Sequence, residues 1–130
     1  MTEQNRRHNR LERKYFPLAA RSSPGGQFYL WPDDAIAMIL ECKEKGYQVY
    51  GLSGIWLHAD GAVQPDTGHE WDLSRTYRDQ KREVEENGER SNFPSEREFY
   101  TRPEAYQEAI QFIQVRKNLK NLSFIVYCEE

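Results

Sequence analysis

The stretch from Tyr47 to Pro65, YQVYGLSGIWLHADGAVQP, decides the architecture of this chain. Its first part carries β-branched and aromatic residues on both alternating faces, which is typical of a central strand buried on both sides. Gly51 and Gly54 interrupt the run, and a glycine inside a strand often marks a bulge or the close approach of another backbone. The turn signal at residues 59–61, Ala-Asp-Gly, predicts a hairpin whose return strand begins over residues 62–65.

Helix signals flank this hairpin on both sides. Upstream, Pro32 suits a first helical turn, and the apolar residues that follow recur at helical spacing until Gly46, so we expect a helix over residues 32–45. Downstream, Thr-Arg-Pro-Glu at residues 101–104 has the pattern of a capping box and predicts the start of a second helix.

The most apolar β-like run of the chain, LSFIVYC at residues 122–128, predicts a buried strand that closes the sheet. With the hairpin and the two helices, it predicts an α+β fold. We expect a small mixed or antiparallel sheet of about four strands, packed by two main helices.

Length and charge predict a single domain with a basic arm. The 130 residues match the usual size of one domain. Residues 1–21 carry a net charge of +4, while the whole chain carries −3, so the remainder is acidic at −7. Turn chemistry at residues 22–26 separates this basic segment from the rest. We therefore predict a flexible arm over residues 1–26 and a folded domain over 27–130. The charged insertion at about 76–98 is either a solvated helix that stops at Gly88 or, as we favour, a partly ordered excursion, and we do not expect it to carry the core.

The chain shows no signal-peptide pattern and no apolar run long enough for a membrane span, so we expect a cytoplasmic protein without a membrane partner. Cys42 and Cys128 are too few for a disulfide framework or a four-cysteine zinc site. We interpret them as buried, reduced thiols that pack as small apolar side chains.

The best candidates for catalysis or metal binding are His58, Asp60, His69 and Glu70 around the hairpin. Of these, His58, His69 and Glu70 could form the centre of a small metal-dependent hydrolase. Their spacing matches no defined metal motif, and no nucleophile or phosphate loop is visible elsewhere. We therefore predict a protein that is not an enzyme and needs no cofactor or metal. A nucleic-acid adaptor that uses the basic arm is a second alternative, although nucleic-acid binding is unlikely for so acidic a body.

Acidic residues lie beside tryptophans in the hairpin region, and four glutamates follow in the insertion, at positions 83, 85, 86 and 89. Clustered carboxylates attract and steer a basic partner, and aromatic residues often anchor protein interfaces. The predicted partner-binding residues are Trp56, Asp60, Asp66, Glu70, Trp71 and Asp72.

Three stretches resemble one family of immunity proteins from bacterial polymorphic toxin and contact-dependent inhibition systems, the family numbered forty. They are residues 30–65, residues 99–113 (FYTRPEAYQEAIQFI) and residues 122–128. The resemblance implies that the chain binds the C-terminal domain of a cognate toxin, possibly a nuclease, and neutralises it in the producing cell. It also implies that occlusion of the toxin's active or binding surface needs no cofactor.

Overall fold

The computed structural model describes residues 8–88 and 93–130. The four residues after Gly88, including Glu89 of the predicted acidic cluster, and residues 1–7 lie outside the described residues. In chain order the helices are α1 (Arg10–Tyr15), α2 (Pro32–Lys45), α3 (Leu73–Glu86), α4 (Glu96–Tyr100) and α5 (Pro103–Gln114), and a 3-10 turn spans Phe16–Leu18. The strands are β1 (Arg21–Ser22), β2 (Phe28–Tyr29), β3 (Gln48–Leu57), β4 (Val63–Asp72) and β5 (Leu122–Glu129).

The predicted α+β class is confirmed, and the described strands form two antiparallel sheets. The main sheet has three strands in the order β4-β3-β5, and β1 and β2 form a two-stranded ladder beside it. A single bridge between Leu30 and Phe124 joins the ladder to β5. The expected hairpin joins β3 to β4, and Gly61 takes a positive φ of 95° in its turn.

The strand β3 is central because both of its faces are buried. Leu52 packs into the main core with α2 and α5, whereas Ile55 packs on the opposite face against Tyr29 of β2. A strand buried on both sides needs apolar residues at consecutive positions, and this explains why the sequence of β3 does not alternate.

The first predicted helix is confirmed at residues 32–45, but the cap of the second differs from expectation. Gly46 ends α2 in the left-handed conformation. Arg102 is the residue before α5, and no side chain caps that helix. The predicted capping box at Thr101 is wrong because α4 ends at Tyr100, and the Thr101 hydroxyl donates to the carbonyl of Arg97 in the preceding turn.

The prediction of a flexible arm over residues 1–26 is wrong for the part that the structure describes. Asn9 caps α1 and forms a capping box with Glu12. Leu11 and Tyr15 are buried in the main core, and the Tyr15 hydroxyl donates to Glu41 of α2 at 2.8 Å. The basic residues of the segment obscured an amphipathic turn whose apolar side packs on α2.

The charged segment forms much of α3, as the solvated-helix alternative expects, but its described residues also contribute to a second apolar cluster, which the prediction did not include. Asp72 caps the start of α3 by accepting a hydrogen bond from the amide of Arg75. Tyr77 of this helix packs with Phe99 and Tyr100 in a second apolar cluster. The segment was predicted to be peripheral because its apolar residues are few, but these few are aromatic and bury a large area each.

Within residues 8–88 and 93–130, no helix is both long and apolar enough to cross a bilayer.

Candidate functional site

The main sheet divides the predicted partner-binding residues between its two faces. Trp56 and Trp71 pack against the main core, on the face that carries α2 and α5. Glu70 pairs with Ser53, whose hydroxyl lies 3.1 Å from that of Tyr127 on the opposite face. Asp72 is two residues further along β4 and lies on the same face as Glu70. The predicted set is therefore not one continuous surface.

Asp66 instead lies in an irregularity of β4, and Trp56 of β3 contacts it. The pairing of β3 with β4 shifts between Ser53 and Ile55, so residues 66–69 bulge out of the ladder. The indole nitrogen of Trp56 donates to Asp66 at 2.9 Å, and the amide of Gly68 donates to the other carboxylate oxygen. These hydrogen bonds, led by that from Trp56, lower the pKa of Asp66.

His69 connects this bulge to the end of α5. The Nε of Arg116 donates to His69 Nδ1 at 2.9 Å, and the Arg116 guanidinium lies 3.7 Å from the ring centre of Phe112. Gly54 permits the arrangement, because a Cβ at this position would lie 2.7 Å from the Cβ of His69 and 2.9 Å from its carbonyl oxygen. The glycine predicted to mark a bulge or close approach is thus the position on which the bulge packs.

The residues of the predicted metal centre are separated. His58 contacts Gln64 through its Nε2 at 2.8 Å, His69 faces Arg116, and Glu70 lies on the other face of the sheet. Across residues 8–88 and 93–130, no group of three or more His, Cys, Asp or Glu side chains is placed to hold a metal ion. Asp60 accepts the amide of Ala62 within the hairpin turn, where it stabilises the turn.

A row of tyrosine rings crosses the sheet on the face that bears Glu70. The ring of Tyr50 lies 6.2 Å from Tyr100 on one side and 6.2 Å from Tyr127 on the other. Gly51 makes room for this row, since a Cβ there would lie 3.3 Å from the Tyr127 ring and 3.4 Å from the carbonyl oxygen of Trp71. An aromatic floor therefore lies on the open part of the sheet.

Three adjoining cavities form one groove over this floor, which we call the acidic groove. The central cavity, of about 240 Å³, lies between β3, β4 and the start of α3. It shares Tyr50 and Ser74 with a cavity of about 270 Å³ toward α4. Toward the bulge, a cavity of about 440 Å³ shares Glu70 and Asp72 with it. The charged residues that line the groove are Glu70, Asp72, Arg75, Glu96 and Glu129.

The groove has four carboxylates, and two of them, Asp72 and Glu96, accept hydrogen bonds within the fold. Burial opposes ionisation of Asp72, but hydrogen bonds from Ser74 and from the Arg75 amide outweigh it and lower the pKa of Asp72. Glu96 accepts the hydroxyl of Tyr100 at 3.3 Å, and burial together with Glu96 raises the pKa of Tyr100 to about 12. The carboxylate of Asp72 thus stays ionised at neutral pH.

The other two carboxylates, Glu70 and Glu129, are exposed. Glu70 lies where the central cavity meets the cavity toward the bulge, and Glu129 lines the cavity toward α4. Neither forms a hydrogen bond or ion pair with a side chain in the described parts of the chain. The groove thus offers four carboxylates and one guanidinium above an aromatic floor. This combination attracts cations and can hold planar cationic groups against the rings.

Sequence reasoning identified Glu70, Trp71 and Asp72 among the residues that line this groove, but it missed the other polar and aromatic members. These are Gln48, Tyr50, Ser53, Thr67, Ser74, Arg75, Glu96, Tyr100, Tyr127 and Glu129. Tyr50 and Tyr127 are adjacent only because β3 pairs with β5, and Glu96 reaches them through α4. The one local signal was the mixture of tyrosine and glycine in β3, which leaves ring-sized gaps on a sheet face.

A separate apolar groove of about 580 Å³ lies on the helix face. It is formed by Trp71 and by residues of α5 and its end, including Phe112 and Val115. Trp71 therefore lines both this apolar groove and the central cavity of the acidic groove.

The two cysteines lie together in the main core, as the interpretation of buried thiols expects. The neighbouring Cys128 thiol and burial raise the pKa of Cys42 far above its usual range, so this sulfur is held as a thiol.

Comparison with protein-family models gives no match, and neither does comparison with curated proteins.

Proposed function

We propose that this chain is an immunity protein that binds a bacterial toxin domain and neutralises it, with the acidic groove as its docking surface. The observation that carries the proposal is a groove with four carboxylates above three adjoining tyrosine rings. Carboxylates steer a basic partner during encounter, and tyrosines provide large contact area after docking. Such a surface fits the cationic cleft of an enzyme that acts on phosphates.

The resemblance to an immunity-protein family supports the same proposal from the sequence. It implies that the partner is the C-terminal domain of a toxin, and that neutralisation occurs in the cytoplasm of the producing cell. To occlude the active or binding surface of a toxin, the chain requires only a complementary surface. In this proposal the chain is therefore not an enzyme and uses no cofactor. The net charge of −7 outside residues 1–21 disfavours nucleic acid as the partner.

The proposal is tested by co-expression with a candidate toxin domain, taken as the C-terminal domain of the protein that the gene immediately upstream encodes. The toxin domain is placed under inducible control in a susceptible bacterium, with and without this chain, and growth is measured. We expect the chain to restore growth and to co-purify with the toxin domain. No rescue and no complex would contradict the proposed function.

The position of the interface is tested with two variants that change the net charge equally. Glu70→Gln, Asp72→Asn and Glu129→Gln together neutralise the groove, and asparagine keeps the cap of α3 that Asp72 provides. Glu83→Gln, Glu85→Gln and Glu86→Gln together neutralise exposed positions on α3.

We expect the groove variant to slow toxin association at least tenfold and to weaken its salt dependence, whereas the α3 variant changes association less than about threefold. Equal slowing in both variants would show steering by net charge alone. Slower toxin association in the α3 variant alone would show that the interface lies on the charged segment and not in the acidic groove.

A further inference from the structure

The spacing of the two exposed carboxylates suggests what kind of segment occupies the acidic groove. Ser53 pairs with Glu70 on one side and with Ile125 on the other, and Glu129 is four residues beyond Ile125 on β5. Four residues of a strand span about 13 Å, and β4 and β5 are separated by two strand spacings of about 5 Å each. The Cα atoms of Glu70 and Glu129 are therefore about 16 Å apart across the groove.

We propose that the acidic groove binds an extended segment of the partner that carries two arginines four residues apart, one paired with Glu70 and the other with Glu129. This proposal rests on the proposed function and names the element that the groove recognises. In an extended chain, residues i and i+4 point to the same side and lie about 13 Å apart, and the long arginine side chains span the remainder.

Charge complementarity and the aromatic floor select the occupant. The carboxylates of Glu70 and Glu129 have no ion pair within the described residues, so a cation that docks there displaces no existing partner. The rings of Tyr50 and Tyr127 lie between these two carboxylates. A guanidinium stacks on such rings while it forms a bidentate pair with a carboxylate, and an ammonium does not, so arginine fits better than lysine.

An extended segment also fits better than a helix. A helix rises about 1.5 Å per residue, so arginines four residues apart on a helix would span only about 6 Å. To reach both carboxylates, a helix would need basic residues about eleven positions apart. The two geometries thus predict different spacings in the partner, which an experiment can separate.

The test uses synthetic peptides of neutral residues with two arginines separated by one, two, four or eleven positions, and the full-length chain labelled with ¹⁵N. Amide shifts are followed by NMR at low ionic strength. We expect the four-position peptide to bind roughly threefold more tightly than the one- and two-position peptides. Its shifts should centre on β3 and β5 near Ser53 and Tyr127. Glu70→Gln and Glu129→Gln should each reduce its affinity to that of a one-arginine peptide, while Glu85→Gln should not.

Equal affinity for every spacing would overturn the proposal, because net charge alone would then explain binding. Tightest binding of the eleven-position peptide would also overturn it and would indicate a helical occupant. Replacement of both arginines by lysine should weaken the four-position peptide. Since no toxin is present, a negative result with the peptides beside a positive rescue of growth would reject the two-arginine segment and leave neutralisation standing.

Discussion

Two glycines of β3 decide what lies on each face of the sheet. Gly51 leaves space for the ring of Tyr127, and Gly54 leaves space for the backbone of His69 in the bulge of β4. Both positions lack a positive φ, so the reason for glycine is the missing Cβ. The acidic groove and the bulge thus both depend on close approach to the same strand.

Gly54→Ala should destabilise the protein by about 1–3 kcal/mol, because the new Cβ would overlap the Cβ and the carbonyl oxygen of His69, which cannot move without shifting the bulge. Urea denaturation would measure this loss. Gly25→Ala is a matched control, since a Cβ there meets only the Ser23 hydroxyl, at 3.8 Å. Its stability should change by less than about 1 kcal/mol. Equal effects of the two substitutions would contradict the role assigned to Gly54.

At the scale of elements, local patterns predicted α2, the β3-β4 hairpin and β5. In each case the signal is carried by neighbours in the sequence: Pro32 and Gly46 around α2, Gly61 in the turn, and the apolar run of β5. Burial of α2, β3 and β5 in one core followed from their apolar residues. These local sequence signals were sufficient to predict the elements, because local preference and tertiary packing agree here.

The charged segment shows where local patterns fail. Its apolar residues are too sparse for a periodic signal. The ring of Tyr77 in α3 contacts the ring of Phe99, which lies in a different helix, α4. The same applies to the acidic groove, whose tyrosines come from β3, β5 and α4. Strand pairing and a helix contact bring these residues together, and neither can be read from residue spacing.

Tyr77→Ala should cost about 3 kcal/mol of stability, because Tyr77 is only 6% exposed and packs among three aromatic rings. Its hydroxyl also donates to the carbonyl of Pro94 at 2.9 Å, so Tyr77→Phe should cost about 1 kcal/mol. Chemical denaturation would measure both values. Gln80→Ala, on the exposed side of α3, is the control and should change stability by less than about 0.5 kcal/mol. A loss below about 1 kcal/mol for Tyr77→Ala would mean that α3 does not pack on the domain.

At the scale of the molecule, the two ends of the described chain meet at β5. Asn9 donates through its side-chain amide to the carbonyl of Cys128, and the backbone amide of Arg10 donates to the carboxylate of Glu130. Arg97 of α4 donates to the backbone carbonyls of Gly46 and Glu130. The start of the chain, the end of α2 and the last strand are thus held together, so α1 belongs to the cooperative unit.

Leu11→Ala should therefore destabilise the whole domain by about 2–4 kcal/mol in a single unfolding transition. Leu11 is 2% exposed and lies in the same core as α2 and α5. Its truncation therefore removes buried apolar contacts and leaves an internal cavity. Thermal and urea unfolding, followed by both circular dichroism and tryptophan fluorescence, would measure the loss and its cooperativity.

Arg10→Ala provides the comparison within the same helix. Its side chain is exposed, and the backbone amide that binds Glu130 is retained, so stability should change by less than about 0.5 kcal/mol. If Leu11→Ala changed stability no more than Arg10→Ala does, the segment before β1 would behave as the flexible arm that its basic composition suggests. We expect a large loss confined to Leu11→Ala, because Leu11 is buried in the core and its neighbour Arg10 is exposed.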